Sequence, residues 1–181
     1  MSKRSGRVVA GPAATPAIGA LHAAGVDHTV HSFEVTTDAF GDEAARVMGE
    51  RLGIAPDRVF KTLVLATARP PEGTRTPLAV AILPVTAMLD LKAAAAALGC
   101  GKASLAPVDV AERTTGYVVG GVSPLGQKRT LATVVDDSAL SHPTVLCSAG
   151  RRGLEIELPP ADLVRLTRAV TAPVASGRAR P

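Results

Sequence analysis

The sequence is poor in aromatic side chains. Among its 181 residues there are three Phe, one Tyr and no Trp, namely Phe33, Phe40, Phe60 and Tyr117. A protein that grips single-stranded nucleic acid by stacking successive bases on aromatic rings has almost nothing to stack on here. The core must instead be built from Val, Leu, Ile and closely packed Ala. Cysteine is scarce as well. Cys100 and Cys147 give neither a disulfide framework nor a paired metal-ligand spacing, and are expected as buried, reduced thiols. No apolar stretch long enough for a signal peptide or membrane span follows the basic start, so a cytoplasmic location with no membrane partner is expected.

What is present suits one globular α+β domain. Hydrophobic residues make up 46% and charged residues 20%, which excludes a chain too polar to form a core. The net charge of +4 leans towards anionic partners. Part of that excess sits at the ends, in Lys3, Arg4, Arg7, Arg178 and Arg180. Residues 1–14 read as a disordered tail, 15–170 as the domain and 171–181 as a flexible tail.

Thr15 and Pro16 open a helix as cap and first residue, and Gly25 stops it. Residues 28–34 alternate as a strand, and 41–52 carry helical spacing up to Gly53. Residues 60–68, rich in Val, Leu and Thr, read as a buried strand that pairs as a hairpin with 78–83. A helix over 90–98 follows, then strands at 130–135, 144–147 and 154–158, and a last helix over 161–168. Strands in adjacent runs with irregular helices predict a mixed, mostly antiparallel sheet.

The least ordinary segment is Gly116–Lys128, with four glycines and a proline among apolar residues. It reads either as a turn between strands or as a loop whose amides approach a ligand oxygen. It is not a phosphate-cradling P-loop. Gln127 stands at the lysine position, Arg129 replaces the Ser or Thr, and a β-like run follows where a helix must begin. Lys61 shares a strand face with Leu63 and Leu65, so it lies either at a solvated mouth, which the strand alone favours, or in a pocket. His28 and His31 point to opposite faces and cannot jointly grip a metal, while His22 and His142 lie on a helix and in a loop. No catalytic triad can be assembled, no metal site or cofactor is expected, and Ser148 sits in a plausible lining turn.

Six segments stand in order along residues 15–168: Thr15–Ala17, Phe40–Glu43, Phe60–Leu63, Leu89–Lys92, Thr115–Lys128 and Arg152–Leu158. With these segments the chain resembles the YbaK family, free-standing Cys-tRNA(Pro) deacylases related to the editing domain of prolyl-tRNA synthetase. The form of residues 120–128 is similar to the cysteine-specific branch. The resemblance implies a compact, partly barrel-like sheet surrounded by helices. It places the essential lysine on Lys61, reversing the balance drawn from the strand alone, and the carbonyl-binding glycine on Gly120, with Gly121 beside it. Phe40, Thr62 and Ser148 match pocket-lining positions. Phe33 stands where a tyrosine is common, and Glu155 where an aspartate is common.

The implied reaction is substrate-assisted. The thiol of the attached cysteine attacks its own ester, and Lys61 and the Gly120 region stabilise the developing charge. The implied partners are an aminoacyl-tRNA, above all Cys-tRNA(Pro), and a prolyl-tRNA synthetase, with no DNA. Two other readings stay open: editing of another mischarged tRNA by a positioned water, and a non-catalytic tRNA- or synthetase-binding module.

Overall fold

The computed structural model describes residues 15–36 and 38–177, so the tail assigned to residues 1–14 lies outside the described residues. Ten strands and five α-helices follow in the order α1 (Pro16–Ala23), β1 (Thr29–Ser32), α2 (Phe40–Leu52), β2 (Phe60–Thr67), β3 (Leu78–Pro84), β4 (Met88–Leu89), α3 (Leu91–Ala97), β5 (Ala103–Leu105), α4 (Val108–Thr115), β6 (Ala132–Asp136), β7 (Val145–Arg151), β8 (Leu154–Leu158), α5 (Pro160–Thr167), β9 (Val170–Ala172) and β10 (Ala175–Ser176). Local chemistry explains the ends. The Thr15 hydroxyl accepts from the Ile18 amide to cap α1, and the Asp90 carboxylate does the same for α3 through Ala93.

The expected hairpin forms: β2 and β3 pair antiparallel with Lys61 opposite Leu83. The larger sheet has the order β5-β2-β3-β6-β9, with β6 parallel to both β3 and β9. A second sheet, β1-β8-β7, is antiparallel throughout, and β4 pairs with β10 antiparallel. The fold is therefore α+β with a mixed, mostly antiparallel pattern, as expected.

The sheets do not close into a barrel. Along one edge, β2 pairs with β5 only at Leu65–Thr67. At its other end a single parallel bridge, Val59 to Leu146, ties the two sheets together. Between these ties the edge of β2 is left open, and that opening matters below.

The main core lies between the sheets. Phe60, Val64, Val80 and Ile82 from one face of the larger sheet meet Cys147, Ile156 and Leu158 of the smaller one, with Ile18, Leu21 and Leu163 from α1 and α5. Leu65, Ala79, Ala81 and Val134 face the other way, against α3. Phe33 packs on a third cluster, under α2, that includes Met48, Val59 and Leu146. Both thiols are free and buried, as expected.

Three parts differ from the sequence reading. Helix α4 is not among the elements expected from the sequence; it is eight residues long, and its buried residues are Ala111, Thr114 and Thr115. Strand β5 is only three residues long. The segment read as a tail from residue 171 contains the end of β9 and all of β10, and Val174 between them is fully buried. The Asp136 carboxylate accepts the amides of Val174 and Ala175 and so fixes that segment; residues 178–181 lie outside the described residues.

Candidate active site

A cavity of about 330 Å³ occupies the opening along β2, at the small end of the usual range for small-molecule sites, about 300–1,000 Å³. Val59–Val64 form one wall, with residues of both strand faces contributing. Leu105 and Ala106 lie on the β5 side, and Ser148 and Glu155 come from the smaller sheet. Phe40, Gly41 and Ala44 of α2, Val85, Val108 and Ala111 of α4, the Val119–Gly120 turn and Val122 complete the lining.

Of the residues singled out from the sequence, Lys61, Phe40, Thr62, Gly120, Ser148 and Glu155 all line this one cavity. Two do not. Phe33 packs on the cluster under α2, and its amide donates to the Gly153 carbonyl. Gly121 lies behind the lining. A Cβ there would come within 2.8 Å of the Arg152 backbone nitrogen, so its small size serves packing.

Lys61 is partly buried. Its Nζ donates to the Ala87 carbonyl at 2.7 Å and, more weakly, to the Val85 carbonyl at 3.4 Å. The turn after β3 thus aims the ammonium through two backbone carbonyls more than twenty positions away, contacts that carry no sequence signature. Burial lowers its pKa, and the nearby Asp42 charge opposes the shift.

Glu155 is 8% exposed, and burial raises its pKa to about 8. Its carboxyl makes no hydrogen bond or ion pair with another described residue. The Thr62 hydroxyl is also buried without a partner among the described residues. A buried polar group left unpaired is costly and points to a partner the protein alone does not supply. Ser148 offers a hydroxyl that accepts only a long bond, 3.3 Å, from the Gly150 amide.

The Gly120 position demands glycine. Its φ is +89°, and a Cβ would lie 2.3 Å from Phe40 Cδ2. Val118–Gly121 form a turn closed by the Gly121 amide donating to the Val118 carbonyl at 2.9 Å. The Val119 amide donates to Glu112 Oε1, whereas the Gly120 amide has no acceptor among the described residues. Among the described residues the lining therefore presents the Lys61 ammonium, the unpaired Gly120 amide, the raised Glu155 carboxyl and the Thr62 and Ser148 hydroxyls.

No histidine or cysteine lines the cavity. Cys147 is fully buried, and burial together with the Glu155 charge pushes its thiol up, away from the reactive thiolate. Among the described residues no group of three or more His, Cys, Asp or Glu could hold a metal ion, and no helix is long and apolar enough to cross a membrane.

The sequence profile of the aminoacyl-tRNA editing domain matches residues 42–166, which bring together Lys61, Gly120, Ser148 and Glu155. The chain belongs to that family. A protein of Enterococcus faecalis named "Putative Cys-tRNA(Pro)/Cys-tRNA(Cys) deacylase EbsC" is 39% identical over 124 residues, covering 68% of this chain and 72% of that protein. A solved structure described only as a hypothetical protein has a TM-score of 0.75 at 26% identity, covering 90% of this chain and 100% of the other. Another, described as "a putative trans-editing enzyme for prolyl tRNA synthetase", has a TM-score of 0.72 at 24% identity and covers 92% and 99%; it shares the fold.

Proposed function

We propose that this editing domain removes cysteine from Cys-tRNA(Pro) by letting the substrate's own thiol cleave the ester. The observation that carries this reading is a cavity with charge and amide donors but no nucleophile paired with a base. The Thr62 and Ser148 hydroxyls have no histidine beside them in the lining, and the one nearby thiol, Cys147, is buried and held protonated. A cysteinyl ester brings its own nucleophile, with a thiol pKa of about 8.5.

In this mechanism the substrate sulfur, as thiolate, attacks the ester carbonyl carbon and the carbon–oxygen bond to the terminal ribose breaks. The ribose oxygen leaves with a proton, and a small cyclic thioester remains, which water then opens to free cysteine. The Gly120 amide receives the carbonyl oxygen as it gains charge, and the Lys61 ammonium stabilises the same charge from the β2 wall. Glu155, ionised, takes the substrate's α-ammonium, which supplies the partner its carboxyl lacks. Thr62 and Ser148 fix the remaining polar atoms, while Phe40 and Val85 exclude water.

A tRNA(Pro) substrate puts the work in the cytoplasm. With so few aromatic residues for base recognition, tRNA selection is assigned in large part to a prolyl-tRNA synthetase partner.

One observation favours a second reading. A carboxyl with a pKa near 8 is well matched to act as a general base on water, which would edit other mischarged tRNAs. Single-turnover rates on tRNA(Pro) carrying cysteine, serine or S-methylcysteine separate the two. Thiol assistance predicts fast cleavage of the cysteinyl ester and almost none of the others, although both fit. Rapid cleavage of the serine ester would establish the water route instead.

A further inference from the structure

Arg152 lies outside the cavity lining and is exposed, yet it makes the most elaborate contact with the turn that lines it. Its Nε and Nη2 both donate to the Val119 carbonyl oxygen, at 3.0 and 2.8 Å. Its guanidinium also stacks over the Phe40 ring, with Cζ 4.4 Å from the ring centroid. The Val119 carbonyl belongs to the same peptide unit as the Gly120 amide. That unit is planar and trans, so its C=O and N–H point in opposite directions.

We infer that Arg152 is a positioning residue that aims and polarises the Gly120 amide, the donor assigned above to the substrate carbonyl; the inference rests on that assignment. Val118–Gly121 form a turn in which Gly120, at the third position, has φ +89° while Val119 is not in the positive-φ region. These are the marks of a type II turn. The alternative type I turn differs chiefly by a flip of the central peptide, which here is Val119–Gly120. A flip would turn the carbonyl towards the cavity and the amide away, replacing attraction for an oxyanion with repulsion.

Two charged N–H groups on one carbonyl oxygen oppose that flip. They also draw electron density towards the oxygen, which makes the N–H at the other end of the unit a stronger donor. The neighbouring tethers cannot do this. Glu112 holds the Val119 amide, and the Val118 carbonyl holds the Gly121 amide, and neither bond touches the central peptide. Phe40 fixes the plane of the guanidinium while closing the space above Gly120. One arginine thereby couples the start of α2, the turn and the beginning of β8.

The test uses the full chain with Arg152→Ala and Arg152→Lys. Single-turnover deacylation of Cys-tRNA(Pro) is measured over a range of enzyme concentrations, and the Gly120 amide proton is followed by NMR in the free protein. Loss of a well-placed oxyanion donor costs about a hundredfold or more, so weakening its placement in Arg152→Ala should lower the saturating rate about tenfold or more. The half-saturating concentration should stay within about twofold, and the Gly120 amide proton should move upfield. Lysine, a point charge without the fork, should restore only part of either effect. An unchanged saturating rate, or a loss confined to half-saturation, would overturn the inference and make Arg152 a contact for tRNA phosphate or nothing. An unmoved Gly120 resonance overturns it as well. If the wild-type protein fails to cleave Cys-tRNA(Pro), the proposed function falls, and the NMR arm still decides whether Arg152 governs the amide.

Discussion

Glu155 and Glu157 are two residues apart on β8 and share a face of the same sheet, but their surroundings are opposite. Glu157 accepts from His31 Nε2 at 2.9 Å, Arg58 Nη2 at 2.9 Å and the Thr144 hydroxyl at 2.6 Å. Burial alone would raise its pKa, but the hydrogen bonds from Thr144 and His31 and the charges of His31 and Arg58 outweigh burial and hold it low. Glu155 has no such partners, and burial raises it to about 8. A carboxylate with every oxygen occupied fastens β1, β8 and the segment before β2 together. One left bare in a cavity is available to a ligand. The contrast separates a residue that holds this fold from one we propose to act, although nothing in the residue type does so.

The strongest challenge to that division comes from Lys61, on the acting side. Lys61→Ala should reduce deacylation on the order of a hundredfold or more while leaving the melting temperature close to that of the wild type. Full activity in a folded Lys61→Ala protein would empty the cavity of its main electrostatic group and break the comparison. Glu157→Gln should behave in reverse. Leaving Arg58 and His31 without their anionic partner should cost about 1–3 kcal/mol in denaturant unfolding, with single-turnover rates unchanged below the melting range.

The comparison can be sharpened further by a pH slope, a gradual change rather than a loss of function. Folding raises the Glu155 pKa from its ordinary 4.5 to about 8, so its contribution to stability is fully present below 4.5 and is lost as pH rises towards 8. Glu157 is shifted down, so its contribution is present above its ordinary value and is lost as pH falls through the lowered one. Glu155→Gln should therefore flatten the decline of stability between pH 5 and 8, by at most about 1.4 kcal/mol per unit. Glu157→Gln should flatten only the acid side. Equal slopes in the two variants would show that the two carboxyls are not different after all.

Much of the frame was legible in the sequence because its signals are local. A Thr-Pro pair opens α1, an Asp caps α3, and β-branched runs mark the β2–β3 hairpin. The segments that were not legible lack such signals. Helix α4 turns threonines inward, and β9 and β10 are held by Asp136, nearly forty positions earlier, rather than by a pattern of their own. The same division runs through the site. Lys61, Gly120 and Glu155 stood out as residues, but the groups that aim them did not. Lys61 is directed by carbonyls at 85 and 87, and the Gly120 turn by Glu112 and Arg152. Phe33, which only the resemblance singled out, packs under α2, and Gly121 lies against the Arg152 backbone, placements set by long-range packing that leaves no local signature.

The open edge of β2 has a consequence for when activity can appear. The cavity is a seam: one wall belongs to the β2–β3 hairpin, which can form early from local contacts, and the far wall belongs to β7 and β8. Until those later strands dock, Lys61 faces solvent across from nothing, with neither Glu155 nor the Arg152-held turn in place. A ribosome-bound fragment ending before β8 therefore has Lys61, the cation proposed for catalysis, but no complete cavity. Turnover in a refolding experiment should rise only with the last long-range pairing, which makes the reaction itself a clock for completion of the fold.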